Sequence, residues 1–257
     1  MPEIQRPDIP TFSRNRDCIS GSVPKTIGTK VVFQNSPKAS QQGDRMRWPK
    51  KDDNPFFVKE PNPFSSTWAC LNWFESSRID DSYLADAFKE SADKIILELS
   101  NAETRQHGEK FFLPVAFLYR HCAELLLKQI IRRGIGLDFI KKETVQNSLG
   151  KHNLHKLWNH AKTIIVRYWP DGPAEDLQAF EAILLKFHNM DKTGQELRYS
   201  KDTKGKSTFK SLPNSVDLEH FKDTFDAVYN FLDSCLMGLN EAWESQCEMM
   251  NDSLDAF

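Results

Sequence analysis

Apolar side chains recur every three or four residues from Asp80 onward, and this spacing constrains the fold more than any other feature. Residues three and four apart lie on the same face of an α-helix. In the first such segment the apolar face consists of five side chains, Leu84, Phe88, Ala92, Ile95 and Leu99. The pattern predicts an all-α fold.

Further segments with helical spacing follow along the chain. Helices are predicted over about 111–133, 153–169, 174–189 and 215–246, with a short one near 137–147. Gly134 and Gly136 end the first of these, and the sequence "PDGP" ends the second. The last repeats apolar residues in a 3-4 alternation that is typical of a coiled-coil seam. We predict a helical bundle of about five to six helices.

The first 78 residues differ in composition from the rest. Six of the thirteen prolines lie before residue 50, and this frequency excludes one long helix. The same region is rich in Trp and Phe, whose large apolar rings can anchor an extended chain to a helical body. We therefore divide the chain into an extended N-terminal arm, 1–78, and a helical bundle, 79–257.

A long segment without helical spacing, "KTGQELRYSKDTKGKSTFKSLPN", separates the last two predicted helices. Segments of this length inside a domain are usually functional or disordered. Its two ends, "ELRYS" and "KSTFK", can pair as a small β-hairpin near 196–210. It is also the most basic stretch of the helical half.

The predicted helix at 111–133 carries Arg120, Glu124 and Lys128 at intervals of four residues, which places them on one stripe. One explanation is an intrahelical ladder of ion pairs, worth about 0.2–0.5 kcal/mol per pair. The other is a polar line that faces a cleft or a dimer seam, because the remainder of this helix is strongly apolar. Charges in such a place must be paired or used.

Polar residues of two later segments are candidates for chemistry. His152 and His155 are three residues apart and could share a helix face, but no third ligand is evident and no metal site is predicted. His152 is also a candidate for proton transfer or phosphate contact. Arg198 could bind phosphate and Tyr199 could stack on a base. The alternative role for Arg198 is to clamp the loop to the helices.

Several classes of protein lack support in the sequence. No GxxxxGK[ST], GxGxxG or GxSxG motif occurs, and no cofactor is predicted. The net charge of −2 argues against a surface that is basic throughout, although a local basic site is compatible with it. No apolar run approaches the roughly 20 residues of a membrane span, and the first 30 residues contain no signal core. We expect a cytoplasmic protein without a membrane partner.

Three sequence elements occur in an order that resembles the HEPN superfamily (higher eukaryote and prokaryote nucleotide-binding domain). They are "RHCAELLLKQII", "HNLHKLW" and "GQELRYS", and a long terminal helix follows them. The resemblance covers about 80–246. It implies an all-α bundle, frequent homodimers, and a place in bacterial toxin–antitoxin, abortive-infection or phage-defence systems with an antitoxin or defence partner. Many relatives are metal-independent ribonucleases.

The chain departs from the catalytic members of that superfamily in one respect. Those members carry an Arg followed four to six residues later by a His, and here no Arg has a His at that spacing. Ribonuclease activity would therefore require residues distant in sequence to converge. In that case the resemblance implies phosphate binding by Arg120 and Arg198, proton transfer by His152 or His121, and orientation of these groups by Glu124.

Three further residues, Lys128, His155 and Tyr199, complete the predicted binding set for RNA or a nucleotide. A second hypothesis is a non-catalytic HEPN-like scaffold that binds a partner protein or a nucleotide. In that protein the polar line of the 111–133 helix would specify folding or dimer register rather than catalysis.

Overall fold

The computed structural model describes residues 80–100, 108–202, 204–209 and 212–255, all of which fall in one structural unit. The predicted arm, 1–78, lies outside the described residues. The helices are α1 (Asp81–Leu99), α2 (Gly108–Gly136), α3 (Lys142–Leu149), α4 (Leu154–Tyr168), α5 (Ala174–Met190) and α6 (Leu218–Asp255). These ranges contain no β-strand, so the all-α prediction is confirmed for them. No helix among them combines the length and the apolarity that crossing a membrane requires.

Helix α2 lies at the centre of the bundle and packs against α1, α4 and α6. Its buried residues occupy every side of the helix rather than one stripe, which is typical of a helix surrounded by others. On the α6 side, Tyr119 stacks on Phe225 with ring centroids 4.2 Å apart. Phe187 of α5 meets the same Phe225 ring edge-on at 5.5 Å. One aromatic layer therefore joins α2, α5 and α6.

Local sequence signals explain where two helices begin. The carboxylate of Asp80 accepts hydrogen bonds from the backbone N–H groups of Ser82 and Tyr83 at the start of α1. At the start of α4, the side chain of Asn153 accepts from Lys156 N at 2.9 Å. Asp and Asn at these positions satisfy N–H groups that have no partner within the helix. The cap at Asn153 fixes the backbone directly after His152.

The predicted β-hairpin at 196–210 is reduced to one antiparallel bridge, between Lys201 and Ser207. The residues before the bridge form a turn, in which the N–H groups of Arg198 and Tyr199 both donate to Gln195 O, at 3.1 and 3.2 Å. Backbone groups committed to this turn are not available to a strand partner. The prediction of a paired "ELRYS" strand was therefore wrong.

The crossing of α2 and α4 depends on Gly134. A Cβ atom built on Gly134 would lie 2.6 Å from Cγ1 of Ile164, which is buried on α4. We expect Gly134→Ala to lower the free energy of unfolding by up to about 2 kcal/mol, because overpacking costs about 1–3 kcal/mol and Ala gains only about 1 kcal/mol in a helix. Urea denaturation followed by circular dichroism measures the change.

The control for this substitution is Gly150→Ala, at the end of α3. No atom lies within 4 Å of a Cβ built on Gly150, and its φ of −80° suits Ala. This variant should be unchanged or more stable by about 0.4–1 kcal/mol. Equal free energies of unfolding for the two variants would show that α2 and α4 can move apart to accommodate the added methyl group without a loss of stability.

Candidate functional site

The charged stripe of α2 faces the interior of the bundle. Arg120 is 1% exposed, Glu124 is 0% exposed, and the side chain of Lys128 is 12% exposed. Arg120 Nη1 donates to Glu124 Oε2 at 3.0 Å, and Lys128 Nζ donates to Glu124 Oε1 at 2.8 Å. The pairs are intrahelical, as a surface ladder would be, but they are buried, and buried charges must be fully satisfied.

Arg120 connects α2 to two other parts of the fold. Its Nε donates to the backbone oxygen of Asp191 at 3.0 Å, and its Nη2 donates to the backbone oxygen of His152. The Asp191 carboxylate lies 3.4 Å from the same Nε. All three guanidinium nitrogens are thus hydrogen-bonded within the protein. Arg120 holds the start of α4 and the end of α5 against α2.

His152 lies next to Asn153, the residue that caps the start of α4, and its imidazole meets the carboxylate of Glu124. Its Nδ1 is 2.8 Å from Glu124 Oε1, and its side chain is 46% exposed. A carboxylate at Nδ1 favours the tautomer with the proton on Nδ1, which leaves a lone pair on Nε2. A half-exposed imidazole held in this way can accept a proton from a bound molecule at Nε2.

Glu124 is ionised although it is buried. Burial acts to raise its pKa, but the hydrogen bonds from Lys128 and His152 and the charge of Arg120 outweigh burial and hold the pKa below its ordinary value of 4.5. Each carboxylate oxygen therefore accepts from a cationic or polar donor at neutral pH. Glu124 thus connects the buried ion pairs with Arg120 and Lys128 to the imidazole of His152.

The other candidate proton carrier, His121, has a different environment. Its ring stacks on Phe117 with centroids 5.7 Å apart and an interplanar angle of 6°, and it meets the ring of Phe88 edge-on at 4.7 Å. Burial lowers the pKa of His121, so the ring is neutral at pH 7. Its position is that of an apolar packing residue, and the structure does not bring it into the hydrogen bonds of Glu124.

The segment after α5 contains Arg198 and contacts His152 through Gly194. Gly194 has a φ of +81°, and a Cβ built there would lie 2.7 Å from Cβ of His152. The carbonyl oxygen of Gly194 accepts from Nε and Nη2 of Arg198, at 2.9 and 2.6 Å. Arg198 is exposed, with its guanidinium 5.5 Å from the centroid of the Phe117 ring. Gly194 therefore contacts both His152 and Arg198, and the convergence of their two side chains at one site stays a prediction.

Two carboxyl groups that the sequence analysis missed hold this segment in place. Asp191 is fully buried and accepts from Glu196 N at 3.1 Å, and Glu196 accepts from N and Oγ1 of Thr193, at 3.0 and 2.8 Å. Burial and the adjacent Glu196 carboxyl raise the pKa of Asp191. Burial opposes ionisation of Glu196, but hydrogen bonds from Asp191 and Thr193 lower its pKa to about 2. Asp191 therefore binds its proton more tightly than Glu196 does.

The remaining predicted residues lie apart from this network. His155 faces α5, where its ring is 5.9 Å from the ring of the buried His188. Tyr199 is 58% exposed and follows Arg198 directly. Within the part of the chain that the structure describes, no group of three or more His, Cys, Asp or Glu side chains is arranged to hold a metal ion.

Comparison of the chain with family models, with curated proteins and with solved structures gave no match. The resemblance to the HEPN superfamily therefore stays a prediction that rests on three sequence elements. The chemistry of the site is inferred from its own residues and contacts.

Removal of the Arg120 charge should destabilise the fold strongly. In Arg120→Met, Glu124 and Asp191 lose a cationic partner inside the protein, and we expect the free energy of unfolding to fall by about 3–5 kcal/mol. The matched control is Arg132→Met on the same helix, where an Arg with a 47% exposed side chain pairs with Asp81. An exposed pair contributes about 0–1 kcal/mol. Similar urea midpoints for the two variants would contradict the structural role of Arg120.

The lowered pKa of Glu124 predicts a dependence of stability on pH. A carboxyl whose pKa is lower in the folded than in the unfolded state stabilises the fold above its ordinary value of 4.5, and this contribution is lost as the pH falls through the folded-state pKa. Glu124→Gln should therefore be less stable than the wild type at neutral pH, with the difference shrinking below pH 4.5. Urea denaturation over a pH series measures it. A difference that is constant with pH would show that Glu124 has an ordinary pKa.

Proposed function

We propose that this chain is a HEPN-like cytoplasmic protein of a bacterial toxin–antitoxin or phage-defence system, and that it cleaves RNA without a metal ion. The observation that carries the proposal is the half-exposed imidazole of His152, oriented by Glu124 at 2.8 Å, with Arg198 on the same Gly194 that packs against His152. A base and a cation in contact with one loop residue form the pair that phosphodiester cleavage requires.

In the proposed reaction, Nε2 of His152 accepts the proton of a ribose 2′-hydroxyl. The 2′-oxygen attacks the adjacent phosphorus and the bond from phosphorus to the 5′-oxygen breaks, which yields a cyclic 2′,3′-phosphate and a 5′-hydroxyl. The 5′-oxygen takes a proton from the imidazolium or from water. Glu124 stabilises the imidazolium through Nδ1, as a carboxylate does in other acid–base pairs.

Arg198 supplies positive charge for the phosphate in this proposal. Two of its nitrogens bind the carbonyl oxygen of Gly194, and a guanidinium has five N–H groups in all, so donors remain for phosphate oxygens. Arg120 has a different role from the one that the resemblance implies. Because its nitrogens are already bound within the protein, we assign Arg120 as a positioning residue for His152 and Asp191.

The second candidate function is a non-catalytic HEPN-like scaffold that binds a partner protein or a nucleotide, most simply as a homodimer. It is favoured by the complete burial of the Arg120–Glu124 pair, which is consistent with a purely structural polar network. In this case substitutions at His152 and Arg198 would alter solubility or the oligomeric state, as measured by light scattering, and no RNA would be cleaved by the wild type.

The substitution His152→Gln tests the proposed reaction. A positioned general base contributes about 10²–10⁴-fold to a rate, so we expect cleavage of cellular RNA by the purified variant to fall by at least about 100-fold. Growth inhibition on expression in a bacterium should disappear with it. The exposure of His152 predicts little change in the free energy of unfolding.

The control is His220→Gln, because His220 is an exposed histidine on α6. It should cleave RNA at the wild-type rate. Arg198→Ala should resemble His152→Gln, whereas Arg198→Lys should keep part of the activity since it keeps the charge. Cleavage that persists in His152→Gln, or a wild type that cleaves no RNA, would refute the proposed reaction.

A further inference from the structure

A basic turn continues from Arg198, and its described residues, 199–202 and 204–209, are here called the lysine turn. The side chains of Lys201, Lys204 and Lys206 are all exposed. None of their ammonium groups forms an ion pair with another residue that the structure describes. Three unneutralised cations on one turn form a local positive surface on a chain whose net charge is −2.

The backbone of the lysine turn is fixed by Asp202. Its carboxylate accepts from the backbone N–H groups of Lys204 and Lys206, at 2.8 and 2.9 Å. Asp202 N donates to Lys206 O at 2.8 Å, and Gly205, with a φ of +76°, donates its N–H to Asp202 O at 2.9 Å. The Asp202 carboxylate thus accepts hydrogen bonds from the backbone of the turn. The three lysine side chains therefore extend from a backbone whose conformation is fixed.

Aromatic rings lie at both ends of the lysine turn. Tyr199 is 58% exposed and Phe209 is 37% exposed. The two ends are held together by the hydrogen bond from Thr208 N to Ser200 O, 3.2 Å in length. Exposed aromatic rings beside lysines are the features with which proteins bind single-stranded nucleic acid, because every base offers a face for stacking and every phosphate a negative charge.

We infer that the lysine turn binds single-stranded RNA and directs it to His152. The inference rests on the proposed function, since the bound strand is the substrate. Tyr199 directly follows Arg198, the residue that supplies positive charge for the phosphate in the proposed reaction. A duplex does not fit this surface equally well, because its base faces are already stacked within the helix.

The test uses the full chain with His152→Gln, so that bound RNA is not cut. Binding of a fluorescein-labelled oligouridine is measured by fluorescence anisotropy over a range of salt concentrations. In a variant that also carries Lys201→Gln, Lys204→Gln and Lys206→Gln, we expect weaker binding. We also expect the slope of log K against log salt to be shallower by about 2, since each single-strand phosphate contact contributes about 0.7.

The matched control removes three other exposed lysines, Lys110, Lys141 and Lys142, which lie on or beside α2 and α3. It has the same change in net charge and should keep the parent affinity and salt slope. Equal losses of affinity in the two triple variants would overturn the inference, because the effect would then come from net charge alone. Equal affinity for duplex RNA, or turn-dependent binding of anionic phospholipid vesicles in place of RNA, would also overturn it.

Tyr199→Ala separates base stacking from phosphate contact. Stacking on an exposed aromatic ring predicts a loss of about ten-fold or more on oligouridine. An abasic oligomer of the same length should bind the variant and its parent equally. An equal loss on both oligomers would contradict stacking by Tyr199. If the wild type cleaves no RNA but binding still depends on the lysine turn, the proposed cleavage fails and the RNA-binding surface stands.

Discussion

The burial of the Arg120 guanidinium is the interaction on which the rest of the structure depends. Transfer of this charge from water to the interior costs several kcal/mol, and only complete hydrogen bonding offsets that cost. The partners that provide it come from α2 itself, from the residue before α4 and from the end of α5. The charge is therefore stable only when these three parts of the chain are in place, and it couples their positions.

That coupling determines the geometry around His152. Glu124 binds Arg120 through Oε2, while its Oε1 accepts from Lys128 and lies against Nδ1 of His152. The same carboxylate therefore belongs to the packing of the bundle and to the environment of an exposed imidazole. The Glu124 carboxylate is held by Arg120 and Lys128, and it in turn orients the His152 imidazole. The imidazole therefore has a defined orientation in the folded state, without any contribution from a bound molecule.

Local information in the sequence was sufficient for the helices and insufficient for the segment after α5. Apolar spacing is a property of neighbouring residues, so the predicted bounds of α2, α4 and α5 agree closely with the structure. The short helix α3 begins at Lys142 rather than near 137, and α6 runs on to Asp255. The spacing of Arg120 and Glu124 also placed them correctly on one stripe. By contrast, Arg120 and Asp191 are 71 positions apart, and the turn at 196–198 depends on such tertiary contacts. The glycine in "KTGQELR" was the available signal, since its positive φ allows the close approach to His152.

The two arginines near His152 differ in burial, and that difference determines what each can do. A guanidinium that is 1% exposed, with every nitrogen bound, could reach a new partner only by breaking contacts that hold three elements together. Arg198 is oriented by the carbonyl of Gly194 and lies over the face of Phe117, yet it remains exposed. An Arg and a His on one helix face need a fixed spacing in sequence. Here both residues instead contact Gly194, so an exposed Arg and an oriented His meet at one loop residue without a contiguous Arg–His motif.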